Sequence, residues 1–346
     1  MSLTYQECKA QYDALKKTFE CIAGQEKELK AFFNAAGPKS LTFTGSGSGY
    51  YLAQSFEMMT KVKMGMPASS IPAGDLMLHY QRYSKLLEGT MLVTASRSGS
   101  TTEVINSVKQ LKASGNLPVL SIVCVENSEL SKISDYTICL PWAFDESVCQ
   151  TRTVTNLYAA VLQISGYLGG DASVIEGLEK VIGFGDEYMR KYEKELEKAA
   201  ALEWKNAVVL ADGELQGLAN EGALAFQEIA QTPSNYYHLL DSRHGPMVMI
   251  NKDTLVIACL TSEDYQKQKD LISDVVGKGA KVVVYTDTPV ESIDGVKLHV
   301  SSGYAMEHVL RGIPFIFIPQ MISYYRAVKS GANPDQPDGL EAWIKL

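Results

Sequence analysis

The chain has 346 residues, 46% of them hydrophobic, and its formal net charge at pH 7 is −8. This length and composition are typical of two globular domains, each with its own core. The acidic balance, with no basic tail and no run of Lys or Arg, argues against a nucleic-acid partner, and no apolar stretch reaches the length of a membrane span.

The N-terminus is polar and lacks the apolar core of a signal peptide. The six cysteines form no Cys-x-x-Cys pair, and most lie in apolar runs, which is typical of reduced core thiols. The five histidines show no metal-ligand spacing with one another. We therefore expect a cytoplasmic protein without a metal site.

In chain order, residues 1–36 are predicted to form a pair of amphipathic helices that precede the first sheet. Six apolar runs are then predicted to be strands that alternate with helices. These runs lie at residues 41–45, 91–95, 119–123, 208–211, 255–258 and 281–285. The second three repeat the spacing of the first three, so we predict an α/β fold of two tandem doubly wound, flavodoxin-like domains, each a mostly parallel sheet flanked by helices.

The predicted domains are residues 37–172 and 200–330. Between them, residues 186–201 are rich in Lys and Glu with few apolar positions, which favours a solvated linking helix. Residues 331–346 form a C-terminal tail whose prolines and glycine break any helix.

The most informative segment is 96–102 (Ser-Arg-Ser-Gly-Ser-Thr-Thr), which comes after a predicted strand and precedes a predicted helix. Free N–H groups and the positive end of the helix dipole favour an anion there. Ser and Thr also suit a helix cap, but one cap residue accounts for one hydroxyl and not for several. The segment therefore favours a phosphate monoester as ligand.

A second loop, 45–49 (Gly-Ser-Gly-Ser-Gly), also comes after a predicted strand. A dinucleotide site is not expected, because Tyr50 stands where the third glycine of that fingerprint belongs. A plain tight turn is the alternative, but Ser46 and Ser48 beside a second hydroxyl loop favour contact with a sugar. Both loops lie at strand ends and are expected to face one crevice.

The second half has an acidic segment at 260–264 in the place of the hydroxyl loop. It offers instead Glu221 and Glu228, seven residues apart on a predicted helix, and His244 in a turn. A carboxylate and a histidine suit aldose–ketose chemistry on a sugar. Two glutamates on a solvated helix face and a structural histidine are the alternative interpretation.

These motifs together resemble the sugar isomerase (SIS) domain family, in particular the tandem phosphosugar isomerases, deaminases and deglycases. The resemblance covers nearly the whole chain and rests on several motifs in the expected order. They are 45–49, 96–101, 146–152, 220–224, 227–229, 243–246 and 333–337.

The resemblance implies roles for particular residues. Glu228 would be the proton-transfer base, and His244 would open the sugar ring. In this family the histidine often reaches into the active site of the other subunit, so a homodimer with shared active sites is implied. Ser96, Ser98 and Thr101 would hold the phosphate, with Ser48 and the backbone near Arg97, and Glu221 matches a position that shapes the site. Apart from the resemblance, Ser46, Gln150 and Arg243 are candidates for further contacts with the substrate. We expect no cofactor, since the base, the acid and the phosphate anchor are all side chains or backbone. The tail is expected to lie over the site.

The chain departs from the family at three places. Gly49 stands where the family carries a further hydroxyl, and Gln150 replaces a small hydroxyl residue. In a synthase of the same family, a lysine near the end of the chain attacks the sugar carbonyl. Ala342 stands at that place here, and Lys345 is close but out of register.

These departures favour a hexose 6-phosphate derivative that already carries nitrogen. The expected reaction is enediol or enamine proton transfer with C–N cleavage, by an amino-sugar-phosphate deaminase or a fructosamine-6-phosphate deglycase. A plain aldose–ketose isomerase and a non-catalytic sugar-phosphate sensor are the alternatives.

Overall fold

The computed structural model describes residues 2–115 and 117–344. Within these residues, ten strands form two sheets of five, and the strand pairs in both are parallel. The first sheet contains β1 (Ser40–Gly45), β2 (Ala68–Pro72), β3 (Thr90–Ser96), β4 (Val119–Val123) and β5 (Tyr136–Cys139). The second contains β6 (Asn206–Leu210), β7 (Ser234–Tyr237), β8 (Thr254–Cys259), β9 (Lys281–Thr286) and β10 (Leu298–Ser301).

The described α-helices fall into the same two halves of the chain. Those of the first half are α1 (Leu3–Lys9), α2 (Gln11–Ala23), α3 (Glu26–Ala36), α4 (Ser48–Met64), α5 (Ala73–His79), α6 (Thr102–Ser114), α7 (Glu129–Ile133) and α8 (Arg152–Gly169). Those of the second half are α9 (Ala172–Ala201), α10 (Gln216–Glu228), α11 (Tyr265–Gly277) and α12 (Gly312–Ser330).

Both sheets have one topology, which confirms the predicted fold class and the internal repeat. The strand order is β2-β1-β3-β4-β5 in the first sheet and β7-β6-β8-β9-β10 in the second. The connections reverse direction between β1 and β3 and between β6 and β8. Ligands of open parallel sheets bind at such reversals, outside the carboxyl ends of the strands.

The central strands are buried, which explains why they appear in the sequence as continuous apolar runs. Every residue of β8 is buried. Polar residues inside the first sheet satisfy one another, since the Thr42 and Thr90 hydroxyls lie 2.9 Å apart and those of Thr94 and Ser121 lie 2.8 Å apart.

The N-terminal residues differ from the predicted pair of helices, because three helices precede β1. By their contacts the residues form two compact units. The unit of the second sheet contains the chain up to Lys9, residues 147–149 and residues 183–340. The unit of the first sheet contains residues 10–146, 150–182 and the described tail from Glu341. Helix α1 is therefore part of the second unit, although the helices and strands that directly follow it in the chain belong to the first.

The prediction of a solvated helix over 186–201 was wrong in extent and in burial. Helix α9 begins at Ala172, and Tyr188, Tyr192 and Leu196 are buried at four-residue spacing. One helix face is therefore packed, and the charged residues line the other.

Helix α12 contains the apolar residues 313–319 and is buried along most of its length. No helix in the described part of the chain is both long enough and apolar enough to cross a membrane.

Candidate active site

The β1–α4 loop is built on glycine because its backbone approaches other backbone closely. Gly47, with φ +54°, precedes α4. A Cβ on Gly45 would overlap the backbone of Gly49, and a Cβ on Gly49 would lie 2.9 Å from the Ala95 carbonyl oxygen at the end of β3. This packing explains the missing hydroxyl at position 49. Ser48 in the first turn of α4 is buried.

The β3–α6 loop keeps its hydroxyls against its own backbone. Ser96 Oγ accepts a hydrogen bond from the Gly99 N–H at 3.0 Å, and Ser98 Oγ accepts one from the Ser100 N–H at 3.2 Å. Thr101 is the N-cap residue of α6, and its hydroxyl makes no cap hydrogen bond. The loop thus places hydroxyls around the positive end of a helix.

The Arg97 side chain is committed to protein contacts. It is buried, donates to the Asp145 carbonyl at 3.2 Å and to the Ala342 carbonyl at 2.7 Å, and lies over the Phe144 ring. Ala342, which stands in the place of the synthase lysine, is thereby held to the β3–α6 loop through its backbone carbonyl. Lys345 lies outside the described residues.

Asp145 is a buried carboxylate that the sequence analysis did not single out. It accepts hydrogen bonds from the Thr151 N–H at 2.7 Å and the Thr153 N–H at 2.9 Å, and Arg152 Nε lies 3.4 Å from it. These contacts fix the start of α8 next to the half-buried Gln150. An Asp a few residues before a Thr-rich helix start was the available signal.

In the second unit, α10 carries both predicted carboxylates. Glu221 is buried and Glu228 is half-buried in the last turn of α10. A Cβ on Gly222 would lie 2.8 Å from Pro319 Cγ, so glycine allows α10 to pack closely on α12. This contact fixes the axial position of the helix that presents Glu228.

His244 is exposed at the end of a 3-10 segment, Leu240–Arg243, as predicted. Asp212, directly beyond β6, anchors the start of this loop by accepting from the Leu239 N–H at 2.9 Å and lying 3.2 Å from His238 Nδ1. Arg243 pairs with Asp274 of α11. The loop is therefore held at two points before His244 in the chain, Leu239 and Arg243. Asp212 is a second residue that the sequence analysis missed.

Behind this anchor, the Tyr236 hydroxyl lies 3.0 Å from His238 Nε2. Burial, with the nearby charges of Asp212 and Asp241, raises the pKa of Tyr236, so its hydroxyl stays protonated at neutral pH.

The predicted site residues divide between the units. Those of the first-sheet unit are Ser46, Ser48, Ser96, Arg97, Ser98, Thr101 and Gln150. Those of the second-sheet unit are Glu221, Glu228, Arg243 and His244. The serine loops lie directly after β1 and β3, which are neighbours in the sheet. No group of three or more His, Cys, Asp or Glu side chains in the described residues could hold a metal ion.

The model of the SIS domain matches the chain twice, at residues 36–164 and 202–330. The chain belongs to the SIS domain family. The two matches each contain one of the parallel sheets, so each half of the repeat is one SIS domain.

Similar proteins include phosphosugar enzymes. The isomerizing glutamine–fructose-6-phosphate aminotransferase of Pseudomonas syringae pv. tomato is 26% identical over 357 residues, which cover 96% of this chain and 57% of that protein. The chain thus spans little more than half the length of this curated relative.

Two solved structures are similar over nearly their full length. Glucosamine-6-phosphate deaminase from Thermotoga maritima is 26% identical, with a TM-score of 0.85 and 100% of both chains covered. Tagatose-6-phosphate ketose/aldose isomerase from Escherichia coli has a TM-score of 0.86 at 20% identity, covering 100% of this chain and 96% of that one, and shows a shared fold.

Proposed function

We propose that this tandem-SIS chain is an enzyme that acts on a hexose 6-phosphate derivative by proton transfer next to a carbonyl or imine, with cleavage of a C–N bond. The observation that carries the proposal is a hydroxyl-lined helix start at the reversal point of the first sheet, in a chain that also keeps a half-buried carboxylate at Glu228. The first suits a phosphate and the second a proton transfer.

The phosphate is assigned to the two serine loops. Ser96, Ser98 and Thr101 would donate hydroxyl hydrogen bonds to it, together with Ser48 and backbone N–H groups at the start of α6. The Ser96 and Ser98 hydroxyls accept hydrogen bonds from the loop backbone, so their own protons can point to a ligand.

The proton transfer is assigned to Glu228. For a fructosamine 6-phosphate, the carboxylate removes a proton from C1 and returns it to C2 through an enaminol, which converts the ketoamine into an imine at C1. Water then adds to the imine carbon, and the amine leaves with a proton while an aldose 6-phosphate remains. His244, which belongs to the same unit as Glu221, Glu228 and Arg243, would transfer a proton at the ring oxygen.

C–N cleavage is favoured over synthesis by the residue at position 342. An alanine cannot form an imine with the substrate, and its carbonyl is bound by Arg97. The full-length likeness to an amino-sugar-phosphate deaminase supports the same choice.

A homodimer is proposed from the loop that carries His244. Val248 and Met249 in this loop are 78% and 70% exposed, and Leu240 is also exposed. Apolar side chains grouped on one loop are typical of an interface, and a second copy of the chain is the occupant that the family resemblance implies.

The experiment is a D2O incubation with glucosamine, galactosamine and fructose 6-phosphates and several fructosamine 6-phosphates, monitored by proton NMR. We expect exchange at C1 or C2 with release of ammonia or an amine. Glu228→Gln should lower turnover by about 10²- to 10⁴-fold, whereas Glu203→Gln, at a 95% exposed side chain, should leave it unchanged.

The other outcomes separate the alternatives. Exchange of fructose 6-phosphate without amine release would indicate an aldose–ketose isomerase. Binding without exchange across the panel would indicate a sensor, and full turnover by Glu228→Gln would refute the assigned base.

A further inference from the structure

The tail motif at 333–337 is hydrogen-bonded to the start of the chain. The Asp335 carboxylate accepts hydrogen bonds from the Leu3 N–H at 2.9 Å and from the Thr4 N–H at 2.8 Å. Thr4 Oγ1 lies 2.9 Å from both Asp335 Oδ1 and the Pro334 carbonyl oxygen. Asp335 therefore caps α1 from more than 300 residues away, where its negative charge also meets the positive end of the helix.

The same residue holds a third segment through its backbone. The Asp335 carbonyl accepts from the Val148 N–H at 2.9 Å. Glu7 of α1, which is 4% exposed, accepts from the Ser147 N–H at 3.1 Å and also from its hydroxyl. Helix α1, residues 147–149 and the tail are thus joined by hydrogen bonds, of which those to the Asp335 and Glu7 carboxylates are charge-assisted. We call these three segments the clamp.

The clamp packs against the end of α10. Cys149 forms one buried cluster with Ala225 and Ile229, and Leu340 of the tail packs against that cluster. Gln231 Nε2, just beyond α10, donates to the Asp338 carbonyl at 3.2 Å. Glu228 lies between Ala225 and Ile229 in the chain, so the turn that carries it is held by the clamp.

We infer that Asp335 is a positioning residue for Glu228: it joins the clamp, and the clamp fixes the last turn of α10. The inference rests on the proposed function of Glu228. Asp335 has no assigned contact with the substrate, and it acts on the base through Cys149, Ile229 and Gln231. Removing its carboxylate releases the start of α1 and leaves the tail held to α1 by fewer bonds.

The test compares Asp335→Ala with Asp338→Ala. Asp338 is exposed and follows the motif directly, and its backbone bond to Gln231 survives the substitution. Hydrogen–deuterium exchange is measured over residues 225–232, and kcat and KM are measured per folded molecule. We expect faster exchange and a kcat lowered by about 10- to 100-fold in Asp335→Ala, because small displacements of a catalytic group cost that much. KM should change less than twofold, and Asp338→Ala should match the wild type.

Two further variants keep the test decisive. Asp335→Asn retains an oxygen acceptor for Thr4, so its kcat should be higher than that of Asp335→Ala. If Asp335 contributed only to global stability, the two variants would have the same kcat at a temperature where both are folded. Thr4→Val removes only the hydrogen bonds of the Thr4 hydroxyl, so exchange over residues 225–232 should be faster than in the wild type but slower than in Asp335→Ala. This variant replaces Asp335→Ala in the test if Asp335→Ala does not fold.

Unchanged exchange over residues 225–232 would overturn the clamp. Faster exchange with an unchanged kcat would overturn its link to Glu228. If instead Glu228→Gln retains full turnover, the proposed function is refuted. The exchange measurement then still shows whether the clamp holds residues 225–232.

Discussion

At the scale of single residues, the serine loop depends on Gly99 as much as on its hydroxyls. Gly99 has φ +59°, in the left-handed region that favours glycine, and a Cβ there would overlap Ser128 Oγ. The Arg97 side chain of the same loop has a role that was not expected, because it donates a hydrogen bond to the Ala342 carbonyl of the tail. The backbone of the loop, and not its one cation, is therefore the part shaped for an anion.

We predict that Gly99→Ala destabilises the protein by about 1–3 kcal/mol, from the strained φ and the overlap with Ser128. It should also weaken hexose 6-phosphate binding, because the loop must shift. Urea unfolding and calorimetric titration measure the two effects. In Gly74→Ala, where a Cβ meets nothing within 4 Å, stability should stay equal or rise. Unimpaired binding by folded Gly99→Ala would contradict the assignment of this loop to the phosphate.

At the scale of elements, α1 is held by a carboxylate at each end. Beyond its cap at Asp335, Glu193 of α9 accepts from Lys9 at 2.7 Å, from the Tyr325 hydroxyl at 3.1 Å and from the Tyr5 hydroxyl. Burial, the hydrogen bond to Glu193 and its charge raise the pKa of Tyr5 from 10.0 to about 12. Although burial opposes it, donation from Lys9 and Tyr5 lowers the pKa of Glu193.

The raised pKa of Tyr5 predicts an alkaline loss of stability. A folded-state pKa above the unfolded one favours the protonated hydroxyl in the folded protein, so this contribution is complete below pH 10 and is lost as pH rises towards 12. Tyr5→Phe should therefore have a flatter dependence of the unfolding free energy on pH in this window, measured by urea denaturation. Tyr304→Phe, at an exposed residue of the same unit, should keep the wild-type slope. A wild-type slope in Tyr5→Phe would contradict the network.

At the scale of the whole molecule, the two domains share a topology and differ in the loops at the ends of the equivalent strands. The first domain has the serine loop after β3. After β8 the second has Glu263, which lies 3.4 Å from the buried Arg311, itself 3.2 Å from Asp287. The chain's own ion pairs therefore occupy the place in the second domain that corresponds to the phosphate loop of the first, which agrees with assigning phosphate binding to the first domain alone.

The exposed apolar loop leads to a prediction about assembly. We expect the wild type to be a dimer by light scattering. The double substitution of Val248→Asp and Met249→Asp should yield monomers, because charges in an apolar interface lose their hydration. Turnover should fall with dissociation if His244 acts in the partner subunit. Leu78→Asp, at a 68% exposed residue of the first-sheet unit, should leave the dimer intact. A monomeric wild type, or a dimer that survives the double substitution, would refute the interface.

Sequence patterns were enough to predict the central strands, the repeat, the family, the exposed position of His244 and the helix that carries Glu228. These features are local, because a buried parallel strand is a continuous apolar run and an amphipathic helix has a fixed period. The edge strands β2, β5, β7 and β10 were not singled out, since edge strands bury less and their sequences are more polar.

Tertiary packing, by contrast, placed α1 in the unit of the second sheet, buried one face of α9, turned Arg97 towards the tail and joined Asp335 to Thr4. Each of these depends on partners far away in sequence, such as Thr4 and Asp335, which are 331 positions apart. A local pattern records the period of a segment and the polarity of its faces. It does not record which distant segment completes a cap or covers an apolar face, because that choice is made by the packing of the whole chain.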